Sequence, residues 1–251
     1  MGEGRGGRRI DQLLVERGLA DSRARAQGLI LAGLVFSDTR RLDKPGQLLP
    51  ADAPLTVKGR DHPWVSRGGV KLAHGLDHFD IDPTGLICLD VGASTGGFTD
   101  VLLQRGAARV YAVDVGRGQL AWPLRNDPRV IVLERTNARH LARAQVPDPI
   151  DLVVCDASFI GLMTVLPAPL ALTAARAWLV ALVKPQFEAG RGRVGKGGVV
   201  RDPDVRREVC ERISGWLAAQ PRWRVLGLTE SPIPGPSGNV EYLIAARREP
   251  G

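Results

Sequence analysis

The chain has 251 residues, of which 44% are hydrophobic and 24% charged, so it can bury a large core and wholesale disorder is excluded. Lys and Arg number 34 against 27 Asp and Glu, and the formal net charge of +7 favours an anionic partner. The excess is uneven, because residues 1–74 hold 13 basic and 8 acidic side chains, whereas residues 75–251 hold 21 and 19. The basic excess is therefore concentrated in the N-terminal third of the chain.

The three cysteines are Cys88, Cys155 and Cys210. They are far apart in apolar surroundings, which predicts buried thiols in a reducing compartment. The first twenty residues lack the apolar run of a signal peptide, and the uncharged, apolar stretch 162–175 is too short and too proline-broken to span a bilayer. His74 and His78 have no further ligands nearby, so no metal is expected. We expect a soluble, cytoplasmic monomer without a membrane partner.

The N-terminal pattern predicts a small α+β domain. Apolar periodicity from Ile10 predicts one helix, and Ser22 is placed to cap a second helix over 23–32. Arg23 and Arg25 lie at the N-terminus of that second helix, where side chains and free N–H groups can both meet phosphate. Short β segments are predicted at 34–36 and 55–57.

From residue 86 onward, strands alternate with helices. Strands are predicted at 86–91, 109–113, 130–133, 152–155 and 178–183, with late β segments at 224–229 and 240–246. Helices are predicted at 70–79, 97–105, 119–126, 164–175 and 203–219, the last with Asp202 as its cap. The alternation predicts an α/β fold with a doubly wound, Rossmann-like parallel sheet.

A glycine-rich turn at 92–97 follows the first of these strands, at the edge where doubly wound sheets bind ligands. Ser94 replaces the second glycine of a dinucleotide fingerprint, and no lysine is present for a P-loop. The G-x-S-x-G pattern matches a nucleophile elbow, but His140 is the only histidine downstream and comes early for a hydrolase. An S-adenosylmethionine site fits, with Asp114 at the end of the second strand suited to a ribose diol. A glycine-rich turn without a ligand stays open as the plain alternative.

Several sequence blocks together resemble the TlyA-type ribosomal RNA 2′-O-methyltransferases, a family also called hemolysin A. Residues 9–60 look like the alpha-L RNA-binding domain of a small-subunit ribosomal protein. The blocks similar to an FtsJ-like catalytic domain are 65–72, 90–98, 134–137, 155–159, 184–188 and 238–241. The resemblance implies an RNA-binding domain at 1–60, a linker at 61–68 and a methyltransferase domain at 69–251.

The resemblance also implies a catalytic tetrad of Lys71, Asp156, Lys184 and Glu241. The implied enzyme moves a methyl group from S-adenosylmethionine to the 2′-hydroxyl of a cytidine ribose. We expect Lys184 to accept the hydroxyl proton or to stabilise the developing alkoxide, while the carboxylates orient the lysines. Phe159, close to Asp156, is expected to fill the core rather than pack near a base.

The expected binding residues fall into two sets. The cofactor set is Gly92, Ala93, Ser94, Gly96, Gly97, Phe98, Thr99, Asp114, Asn137 and Ala138. The RNA-binding set is Arg9, Arg23, Arg25, Arg67, Arg191 and Arg193. Asn137 is equally well explained as a helix cap. The expected partner is ribosomal RNA or a ribosomal subunit.

Two other functions compete with this interpretation. A non-catalytic RNA-binding protein of the same fold would bind RNA without the cofactor. A membrane-lysing hemolysin is suggested only by the older family name, and the sequence contains no basic amphipathic helix to support it.

Overall fold

The chain divides into two units, Met1–Pro63 and Trp64–Gly251, in the computed structural model, which describes residues 7–20, 22–31, 33–58, 62–235 and 237–250. The helices of the first unit are α1 (Ile10–Glu16) and α2 (Arg23–Leu31). Its strands are β1 (Arg8–Arg9), β2 (Val35–Ser37), β3 (Arg40–Arg41), β4 (Leu48–Leu49) and β5 (Thr56–Val57). They form a two-stranded sheet, β1-β4, and a three-stranded sheet, β3-β2-β5. Apolar side chains from both helices and β2 form the core of this unit, and Ser22 Oγ accepts the Arg25 N–H at 3.2 Å, which confirms the predicted cap.

A buried carboxylate organises the polar face of α1. Asp11 is fully buried and accepts hydrogen bonds from Arg9 at 3.0 Å, Arg23 at 3.2 Å and Gln27 at 3.0 Å. The hydrogen bonds from Arg9 hold the pKa of Asp11 well below its usual range, against the opposing effect of burial. One carboxylate thus ties the start of α1 to α2.

The second unit contains seven strands and seven α-helices within its described residues. The strands are β6 (Ile87–Val91), β7 (Arg109–Val113), β8 (Val130–Leu133), β9 (Ile150–Cys155), β10 (Thr173–Val183), β11 (Trp223–Glu230) and β12 (Tyr242–Arg248). The helices are α3 (Gly68–His78), α4 (Gly97–Gln104), α5 (Trp122–Arg125), α6 (Leu162–Val165), α7 (Pro167–Ala171), α8 (Pro185–Glu188) and α9 (Pro203–Ala218). Short 3-10 helices cover Ala138–His140 and Arg191–Arg193.

The strands form one sheet in the order β11-β12-β10-β9-β6-β7-β8. Strands β6 to β10 are parallel, whereas β12 runs antiparallel to both β10 and β11. The predicted α/β class is therefore confirmed, with an antiparallel edge added to a parallel sheet. The chain order reverses at β6, which lies between β7 and β9.

Alternate residues of the central strands point to opposite faces of the sheet and fill two separate cores. Leu89 and Val153 lie in one core, while their neighbours Cys88 and Leu152 lie in the other. Helix α9 packs on the first face through its four buried side chains Val205, Val209, Ile213 and Leu217. Asp202 Oδ1 accepts the Asp204 N–H at 2.8 Å, which confirms Asp202 as the cap of α9.

Two predicted elements differ from the structure. The helix predicted over 164–175 is interrupted, because a new helix starts at Pro167 and residues 173–175 already belong to β10. The helix predicted over 119–126 is reduced to α5 at Trp122–Arg125. A proline lies in the first turn of the short helix in both cases, Pro123 in α5 and Pro167 in α7. Its fixed φ suits the first helical turn, but its missing N–H and its ring disturb a helix interior. Within the described ranges, no helix combines the length and the apolar run that crossing a bilayer requires.

The burial of Asp11 makes its carboxylate a stability determinant of the first unit. We expect Asp11→Ala to lower the free energy of unfolding of this unit by about 2 kcal/mol at neutral pH, because the hydrogen bonds from three side chains to one carboxylate are lost. The stabilisation is present above the ordinary pKa of aspartate and is lost as the pH falls below about 4. The free energy of unfolding is measured in denaturant, with hydrogen exchange of the α1 and α2 amides as the probe. Asp43→Ala, at an exposed position, is the control, and an equal effect of the two variants would contradict the assignment.

Candidate active site

The carboxyl ends of β6 and β9 meet where the strand order reverses. The Asp156 N–H, just after β9, donates to the Val91 carbonyl at the end of β6 at 2.9 Å. A crevice outside the carboxyl ends of the strands at such a reversal is where open α/β sheets bind ligands. The glycine-rich turn after β6 and the acidic residue after β9 therefore lie at the same edge.

The turn after β6 is shaped by close backbone approach. Gly92 has φ of 84°, and a Cβ there would lie 2.9 Å from backbone atoms of Ala157, so only glycine fits. The Ser94 N–H donates to Asp114 Oδ2 at 2.8 Å, and the Gly116 N–H donates to Asp114 Oδ1 at 2.6 Å. The carboxylate after β7 is thus fixed by two backbone donors beside the turn.

A cavity of about 440 Å³ lies at this edge. It is lined by five of the predicted cofactor residues, Gly92, Ser94, Asp114, Asn137 and Ala138. Asp156 and Ser158 line the same cavity. The cavity therefore joins the turn, the acidic residue after β7 and one member of the predicted tetrad. Asn137 Oδ1 also accepts the Arg139 N–H, so this residue is a helix cap as well as part of the wall.

The other predicted cofactor residues are not among those lining the cavity. Ala93 and Phe98 are buried in the core beneath the turn. A Cβ on Gly96 would overlap the Leu124 side chain, and one on Gly97 would overlap Ser66 at the entry to α3. Thr99 is fully buried, and its hydroxyl is bonded to Asp90. Helix packing accounts for the composition of this part of the turn.

Asp90, in β6, is a fully buried carboxyl group. Its Oδ2 accepts the Thr99 hydroxyl at 2.7 Å, whereas its Oδ1 has no hydrogen-bond partner among the described residues. Burial raises the pKa of Asp90 to about 7, and the negative charges of Asp156 and Asp114 act in the same direction. The sequence analysis did not single out this residue.

The predicted tetrad is arranged as two ion pairs. Lys71 Nζ lies 2.5 Å from Glu241 Oε2, and both side chains are buried. Lys184 Nζ lies 2.7 Å from Asp156 Oδ1 and also donates to Ser158 Oγ at 2.8 Å. Burying charges is tolerable only when they are paired, so each lysine compensates one carboxylate.

The two pairs are close to each other. A Cβ on Gly68, at the start of the helix that carries Lys71, would lie 3.7 Å from Asp156 Oδ2. Gln186, two residues after Lys184, donates to Glu241 Oε1 at 3.3 Å. The structure therefore brings all four predicted catalytic residues to one edge of the sheet.

Phe159 contradicts the expectation that it fills the core. Its side chain is 91% exposed, its φ is 64°, and its ring centroid lies 5.0 Å from that of Phe187. Glu188 holds the far end of the same loop, because its Oε1 accepts the Leu162 N–H at 2.7 Å. Positive φ in a bulky residue is strained, and such strain occurs at functional sites. The expectation that this aromatic side chain is buried was wrong, because the loop directs its ring to solvent.

Most of the predicted RNA-binding arginines have protein partners. Arg9 and Arg23 bind Asp11, and Arg193 binds Glu208 at 2.7 Å. Arg67 donates to the Pro234 carbonyl at 3.3 Å. These guanidinium groups stay partly exposed, with 40% for Arg9 and 54% for Arg23. Arg25 is half-buried. The side chain of Arg191 lies outside the described part of the structure.

Residues that the sequence analysis missed are Asp90, Gln119, Ser158 and Gln186. Ser158 and Gln186 fall inside blocks already quoted for the family resemblance, so proximity to Asp156 and Lys184 was an available signal. Gln119 lines the cavity and accepts the Ser94 hydroxyl at 3.2 Å, but its predicted place at a helix start concealed this. Among the described residues, no group of three or more His, Cys, Asp or Glu side chains is arranged to hold a metal ion.

The raised pKa of Asp90 predicts a pH-dependent stability. A carboxyl whose folded pKa lies above its unfolded value stabilises the fold below the unfolded pKa, and that contribution is lost as the pH rises through about 7. As the pH rises from 5 to 8, we expect the free energy of unfolding of Asp90→Asn to increase by about 2 kcal/mol relative to that of the wild type. Urea unfolding at both pH values measures the change.

Asp127→Asn is the control for that measurement, because hydrogen bonding to Arg129 lowers the pKa of Asp127. That variant is expected to show the same difference from the wild type at both pH values. An Asp90→Asn difference that does not change with pH would contradict the assignment.

Comparison with known proteins agrees with this architecture. The FtsJ-like methyltransferase family matches residues 64–248, and the S4 domain family matches residues 8–53. The 16S/23S rRNA (cytidine-2′-O)-methyltransferase TlyA of Mycobacterium tuberculosis is 52% identical over 96% of this chain and 90% of its own length. Hemolysin A of Brachyspira hyodysenteriae is 39% identical over 94% of this chain and 98% of its own length.

A solved structure of a hemolysin-like protein from Streptococcus thermophilus superposes with a TM-score of 0.78 at 40% identity. The match covers 98% of this chain and 90% of the other. Family match, full-length relatives and fold agree with one another. This chain belongs to the TlyA-type family of FtsJ-like methyltransferases that carry an N-terminal S4 domain.

Proposed function

We propose that this protein transfers the methyl group of S-adenosylmethionine to the 2′-hydroxyl of a cytidine ribose in ribosomal RNA. The observation that carries the proposal is the position of Asp156, which lines the cavity and is also paired with Lys184. A cofactor in the cavity would thus lie next to a lysine that can handle a proton. The name of the M. tuberculosis relative supports the reaction and the substrate.

The residues around the cavity suit this cofactor. Its volume of about 440 Å³ lies within the range of small-molecule sites, about 300–1,000 Å³. The Asp114 carboxylate is held by two backbone N–H groups and matches the hydroxyls of a ribose. Gly92 lacks a side chain and so permits close approach of a ligand, and Asn137 and Ala138 also line the cavity. When bound, S-adenosylmethionine supplies a methyl group made electrophilic by the adjacent sulfonium.

The protein's part is to hold the hydroxyl and to manage its proton. As the neutral amine, Lys184 takes that proton and becomes an ammonium group; as the ammonium, it instead stabilises the oxygen while negative charge develops there. Either role needs Nζ at the hydroxyl. Asp156 and Ser158 hold Nζ in place from the cavity wall. The buried Lys71–Glu241 pair supports this arrangement from the neighbouring helix and strand.

RNA contact is assigned to the first unit and to three arginines of the second unit. The S4 match at 8–53 supports an RNA-binding role for the first unit. Arg9, Arg23 and Arg25 there, with Arg67, Arg191 and Arg193 in the second unit, would contact phosphates, which position RNA without reading its sequence. We place the reaction in the cytoplasm, where ribosomal RNA is found.

The test offers methyl-labelled S-adenosylmethionine with small subunits, large subunits and the corresponding naked RNAs. We expect label at a ribose that resists alkaline cleavage, and a loss of about 100-fold or more in Lys184→Met with cofactor affinity retained. Arg207→Ala, on the exposed face of α9, is the control that keeps full activity. Cofactor binding without label would redirect the search to other substrates, and RNA binding without cofactor binding would favour the non-catalytic alternative.

Phe159 provides a second test of the RNA substrate. Its exposed ring, near Lys184 and Ser158, offers a surface on which an unstacked base can rest. We expect Phe159→Ala to lower methyl transfer about tenfold, because base stacking on an aromatic ring is worth about 1–3 kcal/mol. Phe159→Tyr keeps the ring and should keep the activity. Unchanged kinetics in Phe159→Ala would refute the stacking role, and Tm should not move because the side chain buries little surface.

A further inference from the structure

Gln186 contacts one ion pair of the tetrad and lies close in sequence to the other. It lies in α8, two residues after Lys184, and its Nε2 donates to Glu241 Oε1 at 3.3 Å. Lys71 occupies the other oxygen, Oε2, at 2.5 Å. The amide of Gln186 is therefore the neutral partner of a carboxylate that is 1% exposed.

The surroundings of Glu241 leave little room for a substitute. A Cβ on Gly235 would overlap Glu241 Oε1, so the chain passes directly against this oxygen. Among the described side chains, Lys71 and Gln186 alone donate to the Glu241 carboxylate. A buried carboxylate oxygen without a donor is costly, so the loss of Gln186 would move or weaken the Lys71–Glu241 pair.

Helix α8 gives Gln186 a fixed position. The Phe187 N–H donates to the Lys184 carbonyl at 2.9 Å, which closes a tight turn around Gln186. Residues on either side contact the 156–162 loop, Lys184 through Asp156 and Glu188 through the Leu162 N–H. Gln186 alone in this turn reaches Glu241. Its contact is therefore the direct side-chain link between the turn that carries Lys184 and the Lys71–Glu241 pair.

The other end of the same amide has no partner. Gln186 Oε1 is buried and accepts no hydrogen bond within the described part of the chain. A buried polar atom left unsatisfied lowers stability, and in a native structure it calls for an explanation other than packing. An apolar side chain of similar length would fill this place without that cost. The amide is better explained by the position that it imposes on Glu241 than by the stability of the fold.

We propose that Gln186 is a positioning residue for methyl transfer, which holds Glu241, and through it Lys71, in register with the Lys184–Asp156 pair. This inference rests on the proposed function, and it assigns Gln186 no contact with RNA or cofactor. It acts on the alignment of the tetrad, so its removal affects the chemical step and leaves the binding steps unchanged.

The experiment compares Gln186→Met, which keeps the length and loses the donor, with Gln186→Glu, which keeps the shape and sets a second carboxylate against Glu241. We expect kcat to fall about tenfold in Gln186→Met and further in Gln186→Glu. The KM for RNA and the affinity for S-adenosylmethionine should stay near wild-type values in both variants. The Tm should stay near the wild-type value in Gln186→Met, because removing the unpaired Oε1 offsets the lost donor, and should fall in Gln186→Glu, where two carboxylates face each other in a buried place. Gln104→Met removes a similar amide-to-carboxylate bond, to Asp100 on α4, and should keep wild-type kcat.

A second measurement does not depend on activity. The chain has five lysines, so the Nζ resonances of a ¹⁵N-lysine-labelled protein can be assigned by substitution. We expect the Lys71 resonance to move in Gln186→Met and to stay in place in Gln104→Met. If the wild type methylates no RNA, the proposed function fails while this spectrum still decides the positioning role.

The proposal is overturned if Gln186→Met keeps wild-type kcat. It is also overturned if Gln186→Glu keeps wild-type kcat, because the shape of the side chain without its amide donor would then be enough for activity. It is also overturned if the loss lies in KM or in cofactor affinity, or if the Lys71 resonance does not respond. A fall in kcat of Gln186→Met that only follows a fall in its Tm would likewise assign Gln186 a structural role. A fall in kcat of Gln186→Met at constant KM and Tm, with a shifted Lys71 resonance, supports the proposal.

Discussion

Charged side chains leave water at one edge of the sheet only as neutral pairs. Lys71, Lys184 and Glu241 are buried there, whereas Asp156 keeps 24% of its side chain exposed. Lys71 with Glu241 and Lys184 with Asp156 satisfy that constraint within 2.5 and 2.7 Å. Each pair joins residues far apart in sequence, so the pairs form only when the sheet and α3 are in place. The geometry of the site and the integrity of the second unit are consequently linked.

The turn from Lys184 to Glu188 connects these pairs to the rest of the site. One side of it meets the 156–162 loop through Asp156, Ser158 and the Leu162 N–H. The other side reaches Glu241 through Gln186. The loop in turn lines the cavity and presents the Phe159 ring to solvent. A single short helix thereby relates the cavity wall, the paired charges and an exposed aromatic surface.

Charge in the two units is used in different ways. In the first unit, the buried Asp11 gathers Arg9 and Arg23 while leaving their guanidinium groups partly exposed. Such arginines are pre-oriented, and under the proposed function their net positive charge would attract the RNA backbone. In the second unit, the charges of the tetrad are paired one to one. Burial raises the pKa of the Cys155 thiol to about 12, so this thiol stays neutral beside them. The net charge alone does not distinguish these two uses.

The sequence by itself determined the succession of strands and helices along the chain, the glycine-rich turn and the acidic residue after β7, because hydrophobic periodicity and short motifs are local signals. The family blocks predicted the tetrad as a set. Those local signals placed the caps at Ser22 and Asp202. Only the tertiary structure decided how the four charges pair, that Gly96 and Gly97 serve helix packing, that Phe159 faces solvent and that Gln186 bridges to Glu241. Pairing, burial and side-chain direction depend on residues up to 170 positions apart, and no local pattern encodes contacts at that separation.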